Sequence, residues 1–228
     1  MGVNNKKITT INKEGKATLL AFIITAILCN VAVFILVPQR WVFGIVLFFF
    51  IAVFCLLINF FRNPRRIFPS KDKEDVVVSA ADGTIVAIEE VDETDYFMGR
   101  CLVISTFMSI FSVHANWIPA NGTVTKVEHT EGSFHAAFKP KSSTENERSL
   151  VVIRTEKGKE IMVRQIAGAL ARRVVTYCKP GQECSIDQHL GFIKFGSRVD
   201  IYIPKDSFVC VKLGQKVKAN QTILAKLQ

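Results

Sequence analysis

Two uncharged apolar runs near the amino end, residues 17–37 and 42–61, constrain this chain more than any other feature, because only Pro38-Gln39-Arg40-Trp41 separates them. A helix needs roughly 20 apolar residues to cross a bilayer core about 30 Å thick, and each run meets that length. Polar residues are sparse, with Thr25 and Asn30 in the first run and Asn59 near the end of the second. The pair therefore predicts a transmembrane hairpin. A cleaved leader is the alternative for the first run, but the run is long, lacks a small-residue cleavage pattern and is followed at once by another. Lys6, Lys7, Lys13 and Lys16 precede the hairpin, while Arg62, Arg65 and Arg66 follow it. The positive-inside bias puts both ends in the cytoplasm, turns the Arg40 loop outward and leaves Trp41 at the interface. The expected division is a cytoplasmic segment plus hairpin over 1–61 and a cytoplasmic-side domain over 62–228.

With 29 Lys+Arg against 20 Asp+Glu, the formal charge is +9. The cationic residues flank the apolar runs, so the expected partner of that charge is an anionic membrane surface rather than nucleic acid. Of the six cysteines, Cys29 and Cys55 fall inside the runs, and Cys101, Cys178, Cys184 and Cys210 lack CxxC spacing. Reduced thiols are expected. Cys178 and Cys184 amount to half a metal site without matching histidines, and no metal is expected.

Beyond Asn63-Pro64 the chain reads as short strands between turn signals: residues 76–79, 83–91, 101–107, 122–129, 150–155 and 160–165. Asp82-Gly83, Asn121-Gly122 and Lys157-Gly158 supply the turns. Residues 139–148 are polar and expected to loop. The ending VKLGQKVKANQTILAKL, 211–227, is similar to the closing hairpin of biotinyl and lipoyl carrier domains, with DGTIVAIEEV, 82–91, as the matching opening strand. The expected fold is mainly β and barrel-sandwich-like, although the modified lysine of those carriers is missing.

The chemistry rests on GFIKFGSRVDIYIP, 191–204, which contains Gly196-Ser197. Alone, such a pair would serve a bulge or a tight turn. The phrase FGSRVD preceded by CKPGQECSIDQHLGFIK, however, resembles the processing region of the short class of phosphatidylserine decarboxylases. NPRR (63–66), SAADG (79–83), FMSIFSVHANWIPANG (107–122), ENER (145–148) and GALARRVV (168–175) agree in order. The matches cover nearly all of the domain after the hairpin.

The resemblance implies a proenzyme cut between Gly196 and Ser197 into a beta chain, 1–196, and an alpha chain, 197–228, that stay together as a heterodimer; a higher oligomer is compatible with it. Glycine leaves its carbonyl open to attack by the serine hydroxyl. Ser197 would become a pyruvoyl group, which condenses with the amine of phosphatidylserine to a Schiff base and accepts the electrons released with carbon dioxide, without pyridoxal phosphate. The product would be phosphatidylethanolamine, made at the cell membrane. The family assigns an Asp-His-Ser arrangement to cleavage; Asp82 matches the aspartate, and His114 matches a histidine used in cleavage or as the later proton donor. The long-form enzymes carry a second histidine three residues on, a position that is Trp117 here, so either His114 serves both steps or another residue substitutes. Arg148 and Arg198 are candidates for the lipid phosphate, and His135 for a substrate-covering segment. A membrane-tethered carrier or adaptor without catalysis, or a decarboxylase of another serine-headed lipid, are the alternatives.

Overall fold

The computed structural model describes residues 9–70, 73–132, 146–168, 173–194 and 197–228, with the backbone alone at 197. It falls into two compact units, Met1–Arg65 and Arg66–Gln228.

In the first unit, α1 (Lys13–Leu36) and α2 (Arg40–Phe60) are both long and apolar enough to cross a membrane. Asn12 starts α1 by accepting the Glu14 N–H on its side chain at 3.0 Å, which satisfies one of the amides a helix start leaves open. Asn30 donates from Nδ2 to the Ala26 carbonyl at 2.8 Å, so the amide nitrogen of a polar residue in the apolar run is bonded within its own helix. Phe22 meets Phe50 and Phe54 across the pair, at ring separations of 5.7 and 6.2 Å. Short strands β1 (Thr9–Ile11) and β2 (Arg62–Pro64) pair antiparallel and close the base of the hairpin. Gly15 is required there, because a Cβ would lie 2.3 Å from the Phe61 ring.

The second unit is built from antiparallel strands. An eight-stranded sheet runs β11 (Glu183–Cys184), β7 (Gly122–Thr130), β8 (Arg148–Arg154), β9 (Glu160–Ala167), β13 (Ser197–Ile203), β5 (Gly99–Met108), β4 (Gly83–Glu93), β15 (Lys216–Val217). One three-stranded sheet holds β10 (Arg173–Thr176), β12 (His189–Lys194) and β6 (Ala115–Trp117); another holds β14 (Phe208–Val209), β16 (Ile223–Lys226) and β3 (Val76–Val78). Alternation sends Val151, Val163, Ile201 and Ile104 from the large sheet into one core, where they meet Val174, Ile193 and Leu224 from the small ones. The opposite face buries Val103, Val152, Met162 and Tyr202. Apolar residues on both faces of β8, β9 and β13 are what a strand enclosed from two sides requires.

The six segments read as strands correspond to β3, β4, β5, β7, β8 and β9. Of the polar stretch 139–148, residues 139–145 lie outside the described residues, Asn146 forms a bridge and Arg148 already opens β8. Gly83 permits a close approach, since a Cβ would come within 2.1 Å of the Phe107 carbonyl oxygen. At the carboxyl end, β15 does pair with β4, matching Lys216 to Thr84 and Val217 to Gly83. Its successor β16 joins β3 in a different sheet, so the closing segment clamps two sheets instead of folding on itself.

Candidate active site

Ser197 is the first residue of β13 and is flanked on both sides, by Met108 of β5 and Ala167 of β9. Upstream, β12 ends at Lys194 in a separate sheet. Ser197 thus opens a strand of the large sheet three positions after a strand of another sheet ends. Gly196 and His135 lie outside the described residues.

His114 reaches this neighbourhood by a local route. After Met108, the Ser112 N–H bonds the Ser109 carbonyl at 2.9 Å and turns the chain back toward β6. The His114 carbonyl then accepts the Ile193 N–H of β12 at 3.2 Å, and the residue is fully buried. Its Nδ1 is 3.0 Å from the Ser112 carbonyl. A carbonyl only accepts, so Nδ1 carries the proton and Nε2 is the basic nitrogen.

Asn116, two residues on from His114, opens a row of neutral polar side chains. Gln165 donates from Nε2 to Asn116 Oδ1 at 2.8 Å and accepts from Thr176 Oγ1 at 3.0 Å, while the hydroxyls of Thr176 and Ser149 are 2.5 Å apart. Asn116 also points Nδ2 at the Met108 sulfur, 3.8 Å away. Asn116, Gln165 and Ser149 are fully buried. Gly191 gives the Gln165 amide its room, because a Cβ there would fall 2.9 Å from Nε2 and 2.1 Å from the Val175 carbonyl. Sequence reasoning missed this row: Gln165 reads as an ordinary outward polar residue in EIMVRQIA, and only Asn116, inside the HANW motif, carried a signal.

Asp82 lies in the bend just before β4. Its carboxylate forms a two-point ion pair with Arg66, including Nη2 to Oδ2 at 2.7 Å, and accepts the Ala219 N–H at 2.9 Å. The same Arg66 lies 5.0 Å from the Trp117 ring centre, and Trp117 meets His189 at 4.8 Å. The position of the long-form enzymes' second histidine is therefore filled by a buried indole between a cation and an imidazole. Burial holds His189 below the ordinary imidazole range, so it stands neutral against that ring.

Arg198 is held by Asp200 in a buried pair, with Nη2 to Oδ2 and Nε to Oδ1 both at 2.9 Å. Arg148 is half-buried at the start of β8. Burial raises the thiols of Cys178 and Cys184 to about 11 and about 12, which suits packing rather than nucleophilic work. Among the described residues no group of three or more His, Cys, Asp or Glu side chains gathers as metal ligands.

Residues 53–225 match the family model described as phosphatidylserine decarboxylase. The chain is 54% identical over 218 residues to a phosphatidylserine decarboxylase proenzyme of Bacteroides thetaiotaomicron, covering 96% of this chain and 95% of that one. A proenzyme of the same name from Parabacteroides distasonis is 52% identical over 95% of this chain and 98% of its own. One from Burkholderia multivorans is 44% identical over 82% and 83%.

Proposed function

The chain belongs to the phosphatidylserine decarboxylase family, and we propose that it is a proenzyme that cuts itself at Gly196-Ser197 and then converts phosphatidylserine to phosphatidylethanolamine. The observation that carries this reading is Ser197 as the first residue of an interior strand, with His114 anchored to the strand that leads into the junction.

In self-cleavage the Ser197 hydroxyl attacks the Gly196 carbonyl carbon, the amide C–N bond breaks, and an ester replaces it. Loss of the serine Cα proton expels the Gly196 carboxylate. The dehydroalanine left behind takes up water and releases ammonia, leaving a ketone at residue 197. His114 Nε2 suits the proton transfers, with Nδ1 fixed by Ser112. Asp82, engaged by Arg66 and Ala219, supports β6 through the Arg66 contact with Trp117.

The nearby donor set fits a pyruvoyl ketone: neutral amides and hydroxyls from Asn116, Gln165 and Thr176, a thioether from Met108 and a buried imidazole. That ketone supplies an electron sink for the pair released with carbon dioxide, so neither a metal nor pyridoxal phosphate is called for. Two flanking strands would keep residue 197 fixed after the cut, and His114 remains available to return a proton to the substrate carbon. Arg148 suits the lipid phosphate better than Arg198, whose guanidinium Asp200 already engages.

The hairpin would hold the domain at the cytoplasmic face of the cell membrane, where the flanking cations favour anionic lipid and a tethered enzyme meets its substrate at high effective concentration. The pairing of β15 with β4 supports a barrel-sandwich kinship for the second unit. As a test, the full chain is incubated with phosphatidylserine vesicles and carbon dioxide is measured. The wild type releases it and Ser197→Ala does not; equal release by both would overturn the reading.

A further inference from the structure

The ENER segment, 145–148, matches a family motif, and of its residues Arg148 alone enters the chemistry above. Two of its residues reach strands on both sides of the Gly196-Ser197 junction. Asn146 is fully buried and donates from Nδ2 to the Ala167 carbonyl at 2.6 Å. The Glu147 backbone carbonyl accepts the Ala167 N–H at 2.9 Å, so both main-chain groups of Ala167 are taken by this pair. Ala167 ends β9 and stands opposite Ser197. The Glu147 carboxylate accepts the Val174 N–H at 2.9 Å and lies 3.5 Å from His129 Nε2. Val174 belongs to β10 and stands opposite Ile193 in β12, the strand that runs into the junction.

An antiparallel residue directs its N–H and C=O to the same side, so this grip holds Ala167 from the edge away from Ser197. Glu147 is largely buried, and a carboxylate accepting a buried amide makes a strong, directional hydrogen bond. One dipeptide thus ties together the neighbours of the strand entering the cut and the strand leaving it. We propose that Asn146 and Glu147 are positioning residues for self-cleavage, fixing the separation of β9 and β10 so that the Ser197 hydroxyl and the Gly196 carbonyl meet. The inference rests on the cleavage reading above.

The test follows conversion of newly made full-length chain into two fragments for Asn146→Ala, Glu147→Ala and Glu147→Gln. The same substitutions in a Ser197→Ala background report folding through the melting midpoint. A misplacement near 1 Å can slow a reaction by about 10²-fold, so Asn146→Ala and Glu147→Ala should cut roughly 10- to 100-fold slower, with melting midpoints close to the parent. Glu147→Gln keeps the acceptor oxygen and should cut within about threefold of wild type. Wild-type cutting rates in the alanine variants, equal slowing by Glu147→Gln and Glu147→Ala, or collapse of the fold in the Ser197→Ala background would each overturn the proposal. An uncut wild-type chain would overturn the cleavage reading and this one with it, and needs no variant to be seen.

Discussion

The role proposed for His114 depends on what holds it. Full burial removes competing water, the Ser112 carbonyl accepts the Nδ1–H hydrogen bond, and the ring's lone pair is on Nε2. On the proposed mechanism the Ser112 carbonyl would do for this imidazole what a carboxylate does in a Ser-His-Asp triad, while Asp82 is engaged by Arg66. Removing a general base costs about 10²- to 10⁴-fold, so His114→Ala should accumulate uncut chain, read as a time course of fragment formation. Cutting at the wild-type rate would move the base to another group.

At the scale of elements, the 197–228 segment that the proposed cut would create is embedded in the sheets. β13 lies between β9 and β5, β16 against β3, and β15 against β4. A polar clasp adds to these pairings: Asn220, buried with φ of 58°, donates to Asp187 Oδ1 at 2.7 Å and to the Arg66 carbonyl at 3.3 Å. Burial alone would raise the Asp187 carboxyl, but Lys73 at 2.5 Å, Asn220 and the Phe68 N–H together hold it below the ordinary aspartate range. A depressed folded value means stabilisation that is complete above the unfolded value and lost as pH falls through the folded one. Asp187→Asn should therefore lower the melting midpoint near neutral pH, and its difference from wild type should shrink below the ordinary value of 3.8. A difference that does not change with pH would remove the charge from the account.

Across the whole molecule, legibility followed locality. The apolar runs and the six turn-bounded strands carry their signal within a few residues, so their existence could be read directly. β6, β10 and β12 are short and owe their pairing to one another, which no local pattern encodes. The site divides the same way. Gly196-Ser197, His114 and the ENER segment were visible as motif matches, whereas the partners of Asp82 are Arg66 and Ala219, 16 and 137 positions away. Gln165 and Thr176 meet only because β10 packs beside β9, so a polar residue in an alternating strand looked like surface. Under the proposed function the chain is cut at Gly196-Ser197, and residue 197 stays the first residue of β13, between β9 and β5. Intact-mass measurement of the purified protein tests that claim most directly. Two species are expected, one ending at Gly196 and one comprising residues 197–228 with a blocked, pyruvoyl amino terminus; a single uncut mass with an unmodified Ser197 would contradict it.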